Sequence, residues 1–218
     1  QGDWISDVCS SDLATPETKT EEPPMAKKST RNTRGRIVSA AWKLFYEQGY
    51  EDTTVEEIIE LSGTSKGSFY HYFDGKDALL STLSSLFDEK YEELTGLLTP
   101  EMTAMEQLLF LNRELFHMIE DSISLDLLAR LYSTQLTTNG EKHLLDHNRI
   151  YYKLLRKIIA KGQAEGQLSS RSNVNEMVKL YALCERALLY DWCLCAGEYA
   201  LTEYSAKVLP GFLSSFLP

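Results

Sequence analysis

Two short helical segments separated by a glycine-containing turn, within residues 54–73, constrain the fold of this chain more than any other feature. Thr54 is a favourable N-cap residue, and Glu57 three positions later completes a capping box. Gly63 ends the first segment, and the turn after it leads into "SKGSFYHYF". A short helix, a turn that contains glycine and a second short helix together predict a helix-turn-helix.

The second segment carries aromatic residues on two faces. Phe69 and Phe73 are four residues apart and so share one helical face, which we expect to pack against the preceding helices. Lys66, Tyr70 and His71 lie away from that face. In a helix-turn-helix the second helix enters the major groove of DNA, whereas in a generic helical bundle the same aromatic residues would only form a core. Periodicity alone leaves both interpretations open.

The rest of the chain is also predicted to be helical. Apolar residues recur with helical spacing at Ile37, Ala41, Leu44 and Phe45, in a helix that starts after Thr33. Further helices are predicted at residues 76–95, 101–120, 123–137, 141–165, 172–197 and 201–217, and no alternating strand pattern of useful length occurs. We therefore expect an all-α fold: an N-terminal three-helix helix-turn-helix domain, residues 25–79, joined through a fourth helix to a C-terminal helical domain, residues 80–218.

Net charge and composition set further bounds. The net charge of −10 argues against nucleic acid, but Met25 to Tyr46 carries six basic residues and no acidic one. Apolar runs stay shorter than the roughly 20 residues of a membrane span. The four cysteines do not resemble a secreted disulfide framework. We expect a cytoplasmic protein with reduced thiols that does not enter a membrane.

Residues 1–24 show no helical or strand period and end in two prolines, so we expect them to be disordered. Residues 1–13 resemble the translated sequence of a common sequencing-library adapter. We therefore expect this extension to be non-native and the natural start to be Met25; the alternative is an ordinary disordered extension.

Several residues of the second segment have chemistry suited to DNA. Ser65 would cap the helix and place its free amide groups near a phosphate. Gly67 lacks a side chain and permits close backbone approach. The side chains that could contact base edges or phosphates are Lys66, Ser68, Tyr70 and Tyr72.

The stretch from Arg36 to Leu80, "RIVSAAWKLFYEQGYEDTTVEEIIELSGTSKGSFYHYFDGKDALL", resembles the N-terminal domain of TetR-family transcriptional regulators. A glycine and an aromatic before a Thr-Thr pair, followed by "S-K-G-S-x-Y-x-Y-F" and a lysine, carry the resemblance. Ser62 stands where the family commonly has alanine, and Glu56 and Glu57 follow Val55, so an extra basic contact of some members is missing.

The resemblance implies a role for each matching residue. Thr54 would contact phosphate, Tyr70 and His71 would contact phosphate or bases, and Lys76 would clamp a phosphate. Tyr72 is the weaker candidate, because it could pack instead. The residues that would face the groove are Ser65, Lys66, Gly67 and Ser68. Non-specific attraction could come from Lys27, Lys28 and Arg31.

Residues 80–218 resemble the family only loosely, in helix number, length and the "KGQAEGQL" turn. The resemblance implies a ligand-binding and dimerisation domain whose last two helices pair with a second copy, so that the homodimer reads a palindromic operator. A mainly apolar pocket would suit a hydrophobic or aromatic small-molecule inducer. Candidate lining residues are Phe87, Phe116, Met118, Tyr132, Tyr151, Tyr181, Cys184 and Trp192, although large apolar side chains at helical spacing are by default core.

The sequence offers little support for catalysis or a metal. His143 and His147 are four apart on a predicted helix, but an exposed polar helix start is the simpler interpretation because no third ligand is evident. Cys193 and Cys195 are expected to be small buried residues, with a thiol sensor as the alternative. We find no catalytic constellation and expect neither enzyme activity nor a cofactor. A ligand-responsive repressor is therefore favoured, and the alternative is a helical ligand-binding or adaptor module that does not bind DNA.

Overall fold

A computed structural model describes residues 26–137 and 142–218, with side chains from residue 33 onward. Within these residues the fold is all-α with no strand, which confirms the predicted fold class. The helices are α1 (Ala26–Gln48), α2 (Val55–Ser62), α3 (Lys66–Tyr72), α4 (Lys76–Leu80), α5 (Leu83–Thr95), α6 (Ala104–Ser122), α7 (Leu125–Thr137), α8 (Ile150–Ala164), α9 (Val174–Leu194) and α10 (Leu201–Leu213). Contacts divide the chain into two compact units, between Leu79 and Leu80 in the sequence.

Two of the sequence predictions lie outside the described residues. They concern the disordered extension at residues 1–24 and the side chains of Lys27, Lys28 and Arg31.

Apolar side chains from α1, α2 and α3 form the core of the first unit. Ile37, Ile58 and Phe69 have no exposed surface. Phe73 is buried as well, and its ring centroid lies 5.9 Å from that of Phe69. The predicted burial of Phe69 and Phe73 is therefore confirmed, and these two rings hold α3 on the domain.

Both short helices begin at the predicted caps. Thr54 Oγ1 accepts a hydrogen bond from the Glu57 amide at 3.2 Å, and Glu57 Oε2 accepts one from the Thr54 amide at 2.8 Å, which completes the capping box. Ser65 Oγ accepts a hydrogen bond from the Ser68 amide at 3.0 Å. These bonds satisfy amide groups that a helix N-terminus otherwise leaves unpaired.

Arg36 on α1 holds the turn between α2 and α3. Its guanidinium donates to the carbonyl of Ser62 and, at 2.6 Å, to that of Gly63. Gly63 has a φ of +59°, and a Cβ atom there would lie 2.9 Å from Arg36 Nη2. Glycine is therefore needed at this position both for the left-handed backbone and for the space that Arg36 occupies.

Two predicted helix boundaries in the first 95 residues are wrong. The first helix starts at Ala26 and not after Thr33, because no proline or glycine lies between these positions to stop it. The single fourth helix is in fact α4 and α5, separated by a turn. Ser84 Oγ, in the first turn of α5, donates to the carbonyl of Ser81 at 2.7 Å, and this side-chain bond competes with the helical pattern. Leu86 on α5 is exposed.

The predicted helix at residues 141–165 is also shorter than expected. His143 lies in a 3-10 turn, and α8 begins only at Ile150. Asp146 Oδ1 accepts a hydrogen bond from the Asn148 amide at 2.8 Å and so stabilises a turn before α8. His143 and His147 therefore do not share a helix, and within the described side chains no group of three or more His, Cys, Asp or Glu could hold a metal ion.

The second unit packs α5 to α10 around a core that includes Phe116, Tyr152 and Tyr181. Cys193 and Cys195 are half-buried near the end of α9, which corrects the prediction that they are buried. Burial raises the pKa of the Cys193 thiol to about 11, so little thiolate forms at neutral pH. In the part of the chain that the structure describes, none of the helices is long and apolar enough to span a bilayer.

Candidate nucleic-acid interface and ligand cavity

One side of α3 is exposed and carries polar groups. Lys66, Tyr70 and His71 are exposed, whereas Phe69 on the opposite side is completely buried. The Tyr70 ring meets the Phe69 ring edge-on at 5.3 Å, which supports Tyr70 while its outer part stays in solvent. The exposed side of α3 thus presents hydrogen-bonding groups to solvent, while its buried side holds the helix on the domain.

Lys66 is the exposed cation nearest the start of α3. Its Nζ lies 3.4 Å from Glu56 Oε1, and both side chains are about 70% exposed. It also lies 5.9 Å from the centroid of the Tyr70 ring. An ion pair this exposed contributes little to stability, so Lys66 can exchange Glu56 for a phosphate or a base edge at small cost.

Gly67 has no intramolecular neighbour that requires glycine. A Cβ atom at this position would have Ser65 Oγ, 3.9 Å away, as its nearest contact, and the backbone does not adopt a positive φ. Glycine in a helix costs up to about 1 kcal/mol relative to alanine. Neither the backbone conformation nor the packing of the described residues requires glycine at this position.

Ser65 and Ser68 lie together at the start of α3. Their hydroxyl oxygens are 2.9 Å apart, and Ser65 caps the helix. Ser65 is exposed and Ser68 is half-buried. Their shared hydrogen bond orients both hydroxyls at the edge of the exposed face.

Thr54 lies at the start of α2 and is already engaged in its own helix. Its hydroxyl donates to Glu57 Oε2 at 2.8 Å as well as accepting from the Glu57 amide. The Thr54 amide and hydroxyl lower the pKa of the Glu57 carboxyl, and Gln48 adds a third hydrogen bond. Thr54 thus first serves as a cap, and its phosphate contact stays a prediction.

The structure gives Lys76 a role inside the domain. Its ammonium donates to the backbone carbonyls of Tyr50 at 2.6 Å, Thr53 at 2.9 Å and Glu51 at 3.2 Å. It also lies 4.3 Å from the Tyr50 ring centroid. These contacts use all three ammonium donors and tie the loop before α2 to the start of α4. The predicted phosphate clamp would compete with these bonds, and it stays a prediction.

Two further side chains, Tyr72 and Arg34, lie near the end of α3. Tyr72 is half-buried, and its ring lies 4.8 Å from that of His71. Arg34 on α1 is exposed and its guanidinium lies 5.5 Å from the Phe73 ring centroid, which places a positive charge beside α3. Arg34 was not predicted individually; the only sequence signal for it was the basic stretch it belongs to.

A cavity of about 50 Å³ lies within the second unit, between α5, α6, α7, α8 and α9. Half of the predicted pocket residues line it: Phe87, Phe116, Tyr132 and Tyr151. The other candidates lie elsewhere in the unit: Met118, Tyr181, Cys184 and Trp192. A larger, open groove of about 630 Å³ lies between α6 and α10, and none of the predicted pocket residues lines it.

Glu185 on α9 forms part of the cavity wall and is 4% exposed. Its Oε1 accepts a hydrogen bond from Asn112 Nδ2 at 2.9 Å, and its Oε2 accepts one from Tyr151 Oη at 2.6 Å. Asn112 Oδ1 in turn accepts from Ser205 Oγ at 2.5 Å. Burial raises the pKa of Glu185, and these hydrogen bonds offset part of that rise.

Tyr91 on α5 is the other unusual group of the cavity wall. It is 2% exposed, and its hydroxyl is the buried side-chain polar atom that lacks a hydrogen-bond partner among the described residues. Sequence reasoning missed both Tyr91 and Glu185. A single acid in the apolar run "YALCERALLY" was the available signal for Glu185.

The first unit has the form of a helix-turn-helix domain that can place one helix in the major groove of DNA, with α2 as the supporting helix and α3 as the reading helix. Residues 37–83 match the family profile described as "Bacterial regulatory proteins, tetR family". These residues are thereby identified as a DNA-binding domain of the TetR family of regulatory proteins.

Individual proteins extend this assignment. The chain is 39% identical over 56 residues to an uncharacterized HTH-type transcriptional regulator of Lactococcus lactis, covering 25% of this chain and 29% of that protein. It is 26% identical over 147 residues to the uncharacterized regulator YvdT of Bacillus subtilis, covering 67% and 75%. The first relatives are matched over about a third of their length.

A solved structure covers more of the fold. FadR of Thermus thermophilus, a TetR-family repressor in complex with lauroyl-CoA, superposes with a TM-score of 0.68 at 26% identity, over 85% of this chain and 95% of that one. The likeness therefore includes the C-terminal unit as well as the helix-turn-helix.

Proposed function

We propose that this chain is a ligand-responsive transcriptional repressor that binds a palindromic operator as a homodimer and is released by a small-molecule inducer. The observation that carries the proposal is the exposed face of α3. There Lys66, Tyr70 and His71 point outward beside Gly67, whose missing side chain the fold itself does not require. The phosphate and base contacts predicted above would all come from this face and its edges.

The homodimer is supported by an apolar stripe on α9. Leu183, Tyr190 and Leu194 are 53%, 46% and 66% exposed, and Ala187 between them is exposed too. These four positions follow the i, i+4, i+7, i+11 spacing of one helical face. A second copy that covers this stripe would remove it from water, which is the usual reason for an apolar face on a surface helix.

The inducer would act through the second unit. FadR of Thermus thermophilus was solved with lauroyl-CoA, which supports a small-molecule site in this unit. A ligand that binds one arrangement of the dimer better than another shifts the population toward that arrangement. Release of DNA then requires only that the favoured arrangement fits the operator less well.

The proposal is tested by fluorescence anisotropy with DNA from upstream of the protein's own gene, at several salt concentrations. Lys66→Ala and Tyr70→Phe should weaken binding, and Lys66→Ala should reduce the slope of log K against log salt by about 1 if Lys66 neutralises a phosphate. Lys157→Ala, which removes an exposed lysine from α8, is the matched control and should leave binding unchanged.

A helical adaptor that does not bind DNA predicts a different result. In that case the wild-type chain would bind none of the palindromes in this DNA at low salt, and Lys66→Ala would behave like Lys157→Ala. That pair of results would refute the proposed function.

A further inference from the structure

The wall of the small cavity contains a carboxylate whose hydrogen bonds come only from neutral groups. Asn112 and Tyr151 supply the hydrogen bonds of Glu185. A buried carboxylate with neutral partners keeps a strong attraction for a cation, because it has lost its hydration without gaining a counter-ion at hydrogen-bond distance.

The two arginines that line the same cavity are each engaged with another partner. Arg149 makes two hydrogen bonds to Asp88, at 2.9 and 3.1 Å, and so is already neutralised. Arg186 donates from Nη1 to the neutral Tyr152 Oη at 3.1 Å, and its positive charge lowers the pKa of Glu185 without a hydrogen bond between the two side chains. Among the described side chains, the carboxylate of Glu185 therefore has no cation at hydrogen-bond distance.

Tyr91, in the same cavity wall as Glu185, adds a hydroxyl without a described hydrogen-bond partner. Its hydroxyl has no hydrogen-bond partner in the described part of the chain, although the residue is 2% exposed. The rings of Tyr91 and Tyr151 lie 4.9 Å apart, and Tyr132 lines the same cavity. Aromatic faces and a phenol oxygen both attract cations.

We propose that this cavity binds the ammonium group of an organic amine, with Glu185 as the counter-ion, the Tyr91 hydroxyl as a hydrogen-bond acceptor and the tyrosine rings around it. The inference rests on the proposed function in that the amine would be its inducer. The cavity of about 50 Å³ has room for a few water-sized groups, which suits a charged head group and not a whole ligand.

The apolar part of the amine would lie against Phe87, Leu115, Phe116 and Leu189, which form the rest of the wall. An anionic ligand is disfavoured at this point, because its charge would face Glu185. A neutral alcohol could fill the same space and use the Tyr91 hydroxyl, but it would leave the carboxylate uncompensated. The three charge types therefore give three different expected affinities.

The test is isothermal titration calorimetry of the full chain with three probes that share a phenyl-alkyl skeleton: 2-phenylethylammonium, 2-phenylethanol and 3-phenylpropanoate. The ammonium should bind at least about tenfold more tightly than the alcohol, since hydrogen bonds to charged groups are the stronger ones. The carboxylate should bind most weakly. Equal affinities for the ammonium and the alcohol, or no binding of the ammonium, would overturn the inference.

Variants locate the effect. Glu185→Gln keeps the shape of the side chain and should reduce the preference for the ammonium to less than about threefold. Tyr91→Phe should weaken ammonium binding while it leaves the preference over the carboxylate in place. Glu176→Gln removes an exposed carboxylate from the same helix and should bind like the wild type. A preference for the ammonium that persists in Glu185→Gln would contradict the assignment.

The two proposals fail in different assays. If promoter DNA binds with the expected salt dependence but 2-phenylethylammonium does not bind, only the ligand inference is lost. If the ammonium binds with the expected dependence on Glu185 but DNA does not, the cavity assignment holds and the regulatory function is lost.

Discussion

The Tyr91 hydroxyl offers the sharpest test of how the second unit is built. The substitution Tyr91→Phe removes one oxygen and leaves the ring in place. Because Tyr91 is 2% exposed and its hydroxyl has no partner among the described residues, the folded protein has lost the hydration of that group without replacing it. An unsatisfied buried polar group costs about 1–3 kcal/mol.

We therefore expect Tyr91→Phe to raise the free energy of unfolding by about 1 kcal/mol, the lower end of that range, because the adjoining cavity can admit water. For a chain of this length such a gain raises the melting temperature by about 2–4 °C. Urea unfolding followed by circular dichroism measures the change as a higher midpoint at an unchanged slope.

Tyr151→Phe is the matched control, since Tyr151 is also buried and its ring also faces the cavity. Its hydroxyl, however, donates to Glu185 at 2.6 Å. Loss of that bond should lower the free energy of unfolding by about 1.5–3 kcal/mol, the range for hydrogen bonds to charged groups. Equal losses of stability in the two variants would show that the Tyr91 hydroxyl is satisfied after all, and the account of the cavity would be wrong.

Three further predictions concern both units. Phe69→Ala should destabilise the helix-turn-helix by about 3–5 kcal/mol, whereas Tyr70→Phe should keep its stability and weaken only DNA binding; equal melting curves for Phe69→Ala and the parent would contradict this division. Gly67→Ala should raise stability by up to about 1 kcal/mol while it weakens binding to promoter DNA in the anisotropy assay, and unchanged DNA binding would show that nothing approaches this position closely. Burial raises the pKa of the Glu185 carboxyl above its usual 4.5, so the folded state keeps this carboxyl protonated to a higher pH than the unfolded state does. The free energy of unfolding, relative to that of Glu185→Gln, should therefore be greatest below pH 4.5 and should fall as the pH rises through the raised pKa. Parallel pH profiles of the two proteins in urea unfolding would refute this prediction.

The features that the sequence predicts well are those that neighbouring residues determine. The capping box joins Thr54 to Glu57, and the Ser65 cap joins residues three apart, so both follow from spacing. Phe69 and Phe73 are buried because they share a helical face. Such local signals were sufficient to place the helix-turn-helix and to divide α3 into an anchored and an exposed side.

Contacts between distant residues could not be predicted in this way. The sequence alone suggests that Lys76 is exposed. Its ammonium nevertheless donates hydrogen bonds to carbonyl groups 23 to 26 residues earlier in the chain. The partners of Glu185 lie 34 and 73 residues away, at Tyr151 and Asn112. Helical periodicity identifies which side of a helix faces inward, but the packing of several helices decides which inward side chains meet around a cavity.

The hydrogen-bonded chain from Ser205 through Asn112 and Glu185 to Tyr151 joins α10, α6, α9 and α8. In such a chain each residue provides a hydrogen-bond partner for the next, so one apolar replacement leaves a buried polar group without a partner. Replacement of all four residues by apolar ones need not leave any such group. Anyone who redesigns this cavity for a different ligand would therefore have to vary these four positions jointly. Libraries that change them one at a time would mostly sample unstable proteins and would hide the useful combinations.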